Sequence, residues 1–124
     1  DGDLDVLLTT NHGPAYLFRN DGGNRNNWLC VRTVGGKSNR DGIGAVVRVA
    51  SPVAGKQWNT VRSGSSYCSQ SDLALTFGLG RDPKATLEIE WPSGTKQRLA
   101  DVAGNQFITV EEGKGIVARS GAAR

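Results

Sequence analysis

Residues 86–92 read TLEIEWP and residues 72–80 read DLALTFGLG. In the first stretch Leu87, Ile89 and Trp91 alternate with Glu88 and Glu90; in the second Leu73, Leu75 and Phe77 face one way, Ala74 and Thr76 the other. Side chains that change face at every step make a strand with one apolar and one polar side. Pro92 has no N–H to give to a ladder, so the first of these strands ends there.

The same period-two reading extends in both directions. LDVLLTT (4–10), AYLFRN (15–20), NWLCVRTV (27–34), IGAVVRVAS (43–51) and QWNTVRSG (57–64) read as strands, as do TKQRLADV (95–102) and NQFITVEEG (105–113). GIVAR (115–119) adds a short edge, and ARSGAAR (118–124) reads as a frayed tail. Glycine-rich or polar turns such as NDGGNRNN, GGKSNRDG, GLGRDPKA and PSGT separate the strands. No window keeps apolar residues at helical spacing over three turns. The expected fold is all-β: an antiparallel β-sandwich or barrel-like module of about 8–10 short strands.

At 124 residues the chain suits one domain, or one domain with a piece of a neighbour. Its net charge of +3 is scattered, with no basic stripe, so a nucleic-acid partner is not expected. No apolar run approaches the roughly 18 residues of a transmembrane helix, so membrane insertion is not expected. Cys30 and Cys68 leave two readings open, a disulfide or two independent residues; with no further Cys or His nearby they do not resemble a zinc site.

The chain begins DGDLDVLLTTN, with three carboxylates around one glycine. Calcium takes six to eight oxygen ligands from such loops. DGDLDVLL followed by AYLFRNDG resembles an FG-GAP or VCBS repeat, the blade unit of calcium-binding β-propellers, whose loop reads D-x-D-x-D-G-D-x-D before a strand. On that resemblance Asp1 takes the third acidic position, Gly2 is the turn glycine, Asp3 offers its carbonyl and Asp5 closes the loop. The first two carboxylates have no counterpart, so Asp1, Asp3 and Asp5 form a partial calcium loop or are simply solvated. The start is read as a cut edge, and calcium is expected in the intact parent rather than in this fragment.

NWLCVRTVGGKSNRDGIGAVVRV, VRSGSSYCSQSDLALTFGLG and LEIEWPSGTKQRLADVAGNQFITVEEG, in that order, resemble the ASPIC/UnbV domain. Cys68 departs from the pattern, where an aliphatic residue is expected. The resemblance implies a secreted, periplasmic or cell-surface setting with FG-GAP/VCBS repeats just upstream. It supplies no reaction. The expected organisation is a repeat remnant at 1–23, an ASPIC/UnbV β-module at 24–112 and a flexible tail at 113–124. The apolar Leu4, Val6, Leu8, Leu17 and Phe18 are expected to pack somewhere, in this chain or on a neighbour.

No catalytic constellation stands out. His12, the one histidine, lies in a turn, and SGSSY lacks the second glycine of a nucleophile elbow. Glu88 and Glu90 could form a glycosidase-type pair, but they share the solvent side of a strand; Glu111 and Glu112 also read as surface. Two loops are more polar than turns require. They bring forward Asn39, Arg40 and Asp41 in one, and Tyr67, Gln70 and Asp72 in the other, either as turn caps and an ion pair or as a shallow binding face. Trp28, Trp58 and Tyr67 are candidate rings for sugar stacking, and Trp91 belongs to the core. The expected role is a non-catalytic extracellular module that recognises protein or carbohydrate; the alternatives are a structural cap of the propeller and, third, an enzyme. Calorimetric titration of this chain with calcium should show nothing tighter than about millimolar, the range of weak extracellular sites. Adding a complete upstream half-loop should restore binding; tight binding by the chain as it stands would refute the half-site.

Overall fold

The computed structural model describes residues 4–22 and 25–121. Ten strands follow one another: β1 (Val6–Leu8), β2 (Tyr16–Phe18), β3 (Asn27–Val34), β4 (Val46–Ser51), β5 (Gly55–Thr60), β6 (Leu75–Gly80), β7 (Lys84–Glu90), β8 (Lys96–Ala103), β9 (Gln106–Glu111) and β10 (Gly115–Gly121). β1 and β2 form a separate hairpin. The rest make two four-stranded sheets, ordered β10-β9-β3-β6 and β5-β4-β7-β8.

The sheets pack as a sandwich, and the alternation read from the sequence decides which sides meet. On the inner side of the first sheet Leu29 lies opposite Phe77, and Val31 lies between Leu75 and Ile108. On the second sheet Val47 faces Ile89, and Val49 and Leu99 flank Leu87. These residues, with Val61, Leu79, Trp91, Val102 and Val110, form one continuous core. No helix among the described residues is long and apolar enough to cross a membrane.

The sandwich is one of the two forms expected, and two details differ from the expectation. The first sheet is mixed, because β3 runs parallel to β9. Parallel neighbours need a long crossover, which here passes through the second sheet. Neither sheet closes into a barrel. The segment 113–124, expected as a flexible tail, instead contributes β10, paired with β9 from Gly115 to Gly121. Small and charged side chains do not prevent backbone pairing at an edge, where only one side of the strand is bonded.

Both ends of the sandwich are tied. At the end where β6 passes into β7, Asp82 is buried, and its Oδ2 accepts the Val53 N–H at 2.7 Å and the Ala54 N–H at 3.1 Å. The nearby Ser51 hydroxyl, with these two N–H groups, holds the Asp82 carboxyl below its ordinary value against the opposing effect of burial. At the same end Asn27 Nδ2 donates to the Asp82 carbonyl, and Asn105 Nδ2 donates to Asn27 Oδ1 at 2.7 Å.

The β1–β2 hairpin does not join this core. Val6 pairs with Phe18 and Leu8 with Tyr16, yet Leu4, Val6, Leu8, Leu17 and Phe18 stay 49–68% exposed. Of these side chains, among the described residues only Leu4 reaches the module, at the rim of a cleft with Arg62 and Thr76. The boundary set near Asn24 falls outside the described residues. Leu87, fully buried at the centre of the second sheet, should be among the costliest truncations: Leu87→Ala is expected to lower unfolding free energy by about 2–5 kcal/mol, read from chemical denaturation.

Candidate functional site

β3, β5, β7 and β9 all finish at the other end of the sandwich, so both polar loops gather there. The β3–β4 loop spends most of its polar groups on itself. Asn39 Oδ1 accepts the Ile43 N–H at 2.8 Å, and its Nδ2 donates to the Ile43 carbonyl at 2.7 Å, so one side chain replaces a strand neighbour. Arg40 grips Asp41 with two nitrogens, at 3.0 and 3.3 Å, and this holds the Asp41 carboxyl below its ordinary value. Thr33 Oγ1 donates to the Asp41 carbonyl. Gly42 sits at φ 67°, where a Cβ would meet Thr33 Oγ1 at 2.5 Å, so the turn requires glycine.

A residue read as surface holds this end together. Glu112 is only 7% exposed. Its Oε2 accepts three successive backbone N–H groups, from Gly36, Lys37 and Ser38, at 2.9, 2.8 and 2.7 Å. Its Oε1 accepts the Ser93 hydroxyl of the β7–β8 turn. Burial pushes the carboxyl up, but the Ser93 hydroxyl and the three N–H groups outweigh it and bring it down to about 2. Successive N–H groups around one anion form a nest, and here the chain fills its own nest. The signal in the sequence was weak: an acid beside a GGKS loop becomes meaningful only when β9 is known to run beside β3.

The second loop is looser. Asp72 Oδ1 accepts the Ala74 N–H at 3.1 Å, and Gln70 Nε2 donates to the Ser71 carbonyl at 2.5 Å. Asp72 lines a cleft of about 260 Å³ with Arg62, Ser65 and Thr76, and also borders an outer groove with Arg32, whose charge reaches Asp41. Tyr67 is 94% exposed and does not line the cleft. Asn39, Arg40 and Asp41 therefore share an end of the fold with Asp72, without forming one pocket. Cys30 is buried and Cys68 exposed, and both are free thiols; burial raises the Cys30 pKa. Asp1 and Asp3 lie outside the described residues. Asp5 uses Oδ1 to accept the Asn20 N–H at 2.8 Å, fastening the hairpin.

The aromatic candidates separate clearly. Trp28 is buried, edge-on to Phe107 with ring centres 4.9 Å apart, so it is no platform for a ligand. Trp91 is core, as expected. Trp58 is 68% exposed on the outer side of the second sheet. Trp58 lies opposite Arg48, Arg48 opposite Glu88, and Glu88 opposite Arg98, giving one row across β5, β4, β7 and β8. Next to it run Val46, Glu90 and Lys96. Arg48 Nη1 bonds Glu90 Oε2 at 3.1 Å, Lys96 approaches the other Glu90 oxygen at 4.0 Å, and Arg98 Nε lies 3.7 Å from Glu88. A shallow depression of about 450 Å³ lies over these charges. Glu88 and Glu90 are thus each held by bases on an open surface.

Residues 35–117 match the family model described as ASPIC and UnbV. Over 119 residues, 90% of this chain, the sequence is 35% identical to cartilage acidic protein 1 of Mus musculus, covering 18% of that protein. The Homo sapiens protein of the same name is 34% identical over 90% of this chain and 17% of its own length. The Xenopus tropicalis one is 36% identical over 76% of this chain and 15% of its own. The chain spans less than a fifth of each of these relatives.

The Glu112 geometry predicts an acid-sensitive loop end. A carboxyl with a lowered folded-state pKa stabilises the fold fully above its ordinary value of 4.5, and that contribution fades as pH falls towards about 2. Glu112→Gln should lower stability at neutral pH and flatten the pH dependence between those values, measured by denaturation at a series of pH values. An unchanged acid limb would show that the nest is not charge-dependent.

Proposed function

The chain belongs to the ASPIC and UnbV family, and from that premise we propose that it is a non-catalytic extracellular module that recognises a partner through the outer side of its second sheet. The observation that carries this reading is the exposed Trp58 ring in one row with Arg48, Glu88 and Arg98. Large exposed aromatic groups beside fixed polar groups are where binding energy concentrates. Cartilage in the relatives' name favours a secreted setting. Glu88 and Glu90, the carboxylate pair raised for hydrolysis, favour the non-catalytic role because both are engaged with bases on an open sheet.

A second role fits a second observation. The β1–β2 hairpin exposes apolar side chains on both of its sides, Val6, Leu8, Tyr16 and Phe18 on one and Leu7 and Leu17 on the other, and apolar surface of this kind marks an element covered by something else. In our reading the hairpin is the last piece of an FG-GAP/VCBS repeat, it packs on an upstream propeller of the parent chain, and calcium belongs to that propeller. The module then caps the propeller while its outer sheet remains free.

Arrays of glycans and of purified matrix proteins, probed with the chain and with Trp58→Ala, test the recognition role. At least one binder should weaken by about tenfold or more, or roughly 1.4 kcal/mol, in the variant. No binder on either array, or binders indifferent to Trp58, would leave only the cap.

A further inference from the structure

We infer that the Trp58 face binds a neutral saccharide chain laid across the four strands; this rests on the recognition role proposed for the same face. Three features of the face select that class of ligand.

The first is the mixture of donors and acceptors. Each sugar hydroxyl both donates and accepts. Arg48, Arg98 and Lys96 donate only, Glu88 and Glu90 accept only, and the two kinds alternate along the rows. Neighbouring hydroxyls of a pyranose can therefore meet a base and an acid side by side. The Arg48–Glu90 bond at 3.1 Å sets one such base and acid side by side before the ligand arrives, which limits the ordering cost of binding.

The second is charge compensation. A polyanion needs cations free to release counterions. On the charged rows Arg48 bonds Glu90, Lys96 approaches the same carboxylate and Arg98 approaches Glu88, while Lys56, beside Trp58 on β5, has no acid within 4 Å among the described residues. A sulfated or phosphorylated chain would have to compete with carboxylates already in place.

The third is where the apolar group sits. Protein interfaces are apolar at the centre with charge at the rim. Here the charges fill the middle strands, and the one tryptophan lies on the edge strand β5. The flat C–H face of a pyranose covers an indole well and leaves its hydroxyls at the ring edge, over the charged row. With strands about 4.8 Å apart, that row runs roughly 14 Å, enough for a short run of sugar rings rather than one.

Tryptophan fluorescence provides the test, because Trp28 and Trp91 are buried and Trp58 is exposed. The chain would be titrated with cellohexaose, chitohexaose, mannohexaose and a heparin hexasaccharide. At least one neutral hexasaccharide should shift the emission and saturate below about 1 mM. Its affinity should change less than about twofold between 50 and 200 mM salt, whereas a polyanion site loses orders of magnitude. Calorimetry should show Trp58→Ala losing about tenfold or more and Trp58→Tyr keeping most of the affinity, with the near-ultraviolet signal of the buried tryptophans unchanged in both. Binding of heparin alone with a steep salt dependence overturns the inference, and so does silence from all the neutral chains. Trp58-dependent binding to a matrix protein on the array, with no sugar bound, would overturn the saccharide and leave the recognition role standing.

Discussion

A single carboxylate, that of Glu112, determines how one end of this sandwich closes. The two sheets touch through apolar side chains, which are non-directional and do not dictate where loops go. Glu112 supplies direction. It stands where β9 turns into β10 and collects N–H groups from the β3–β4 loop and a hydroxyl from the β7–β8 turn. Three connections from both sheets therefore converge on one pair of oxygens. The same loop then has Asn39, Asp41 and Gly42 set by its own short-range bonds.

The opposite end uses the same device with different residues. Asp82, between β6 and β7, takes two N–H groups from the β4–β5 turn. Both carboxylates gather successive backbone N–H groups of a loop or turn and fix it against the end of the sandwich. With both ends fastened, the broad side of the second sheet can carry charged side chains and an exposed tryptophan without serving the core. That division of labour leaves the outer side of the second sheet free of any duty to the core.

Local pattern located all ten strands, most sharply β4, β6, β7 and β9, where one side is buried and the other is not. Leu87, Ile89 and Trp91 were legible as core for that reason. Strand order was not legible: nothing in the local pattern of β3 tells it to lie beside β9 in parallel. Glu112 was misread for the same cause, since its partners are some 75 residues away. Trp28 was misread because Phe107 of the neighbouring β9 packs edge-on against its ring, a contact between strands far apart in sequence. Asn39 and Asp72 were legible as residues that bond nearby backbone, which local sequence does encode. The prominence of Trp58 needed the register of four strands, which only the folded sheet provides.

The parallel pairing of β3 and β9 also bears on how the chain assembles. β3 lies inside its sheet, yet one of its two partners follows it only after five other strands, with Leu29 opposite Gln106. Until β9 has been made, β3 holds one bare edge. Contacts this distant in sequence slow folding and lengthen the exposure of sticky edges. The module therefore condenses late and as a whole, and truncation before β9 would leave the best strand of the first sheet as a template for aggregation.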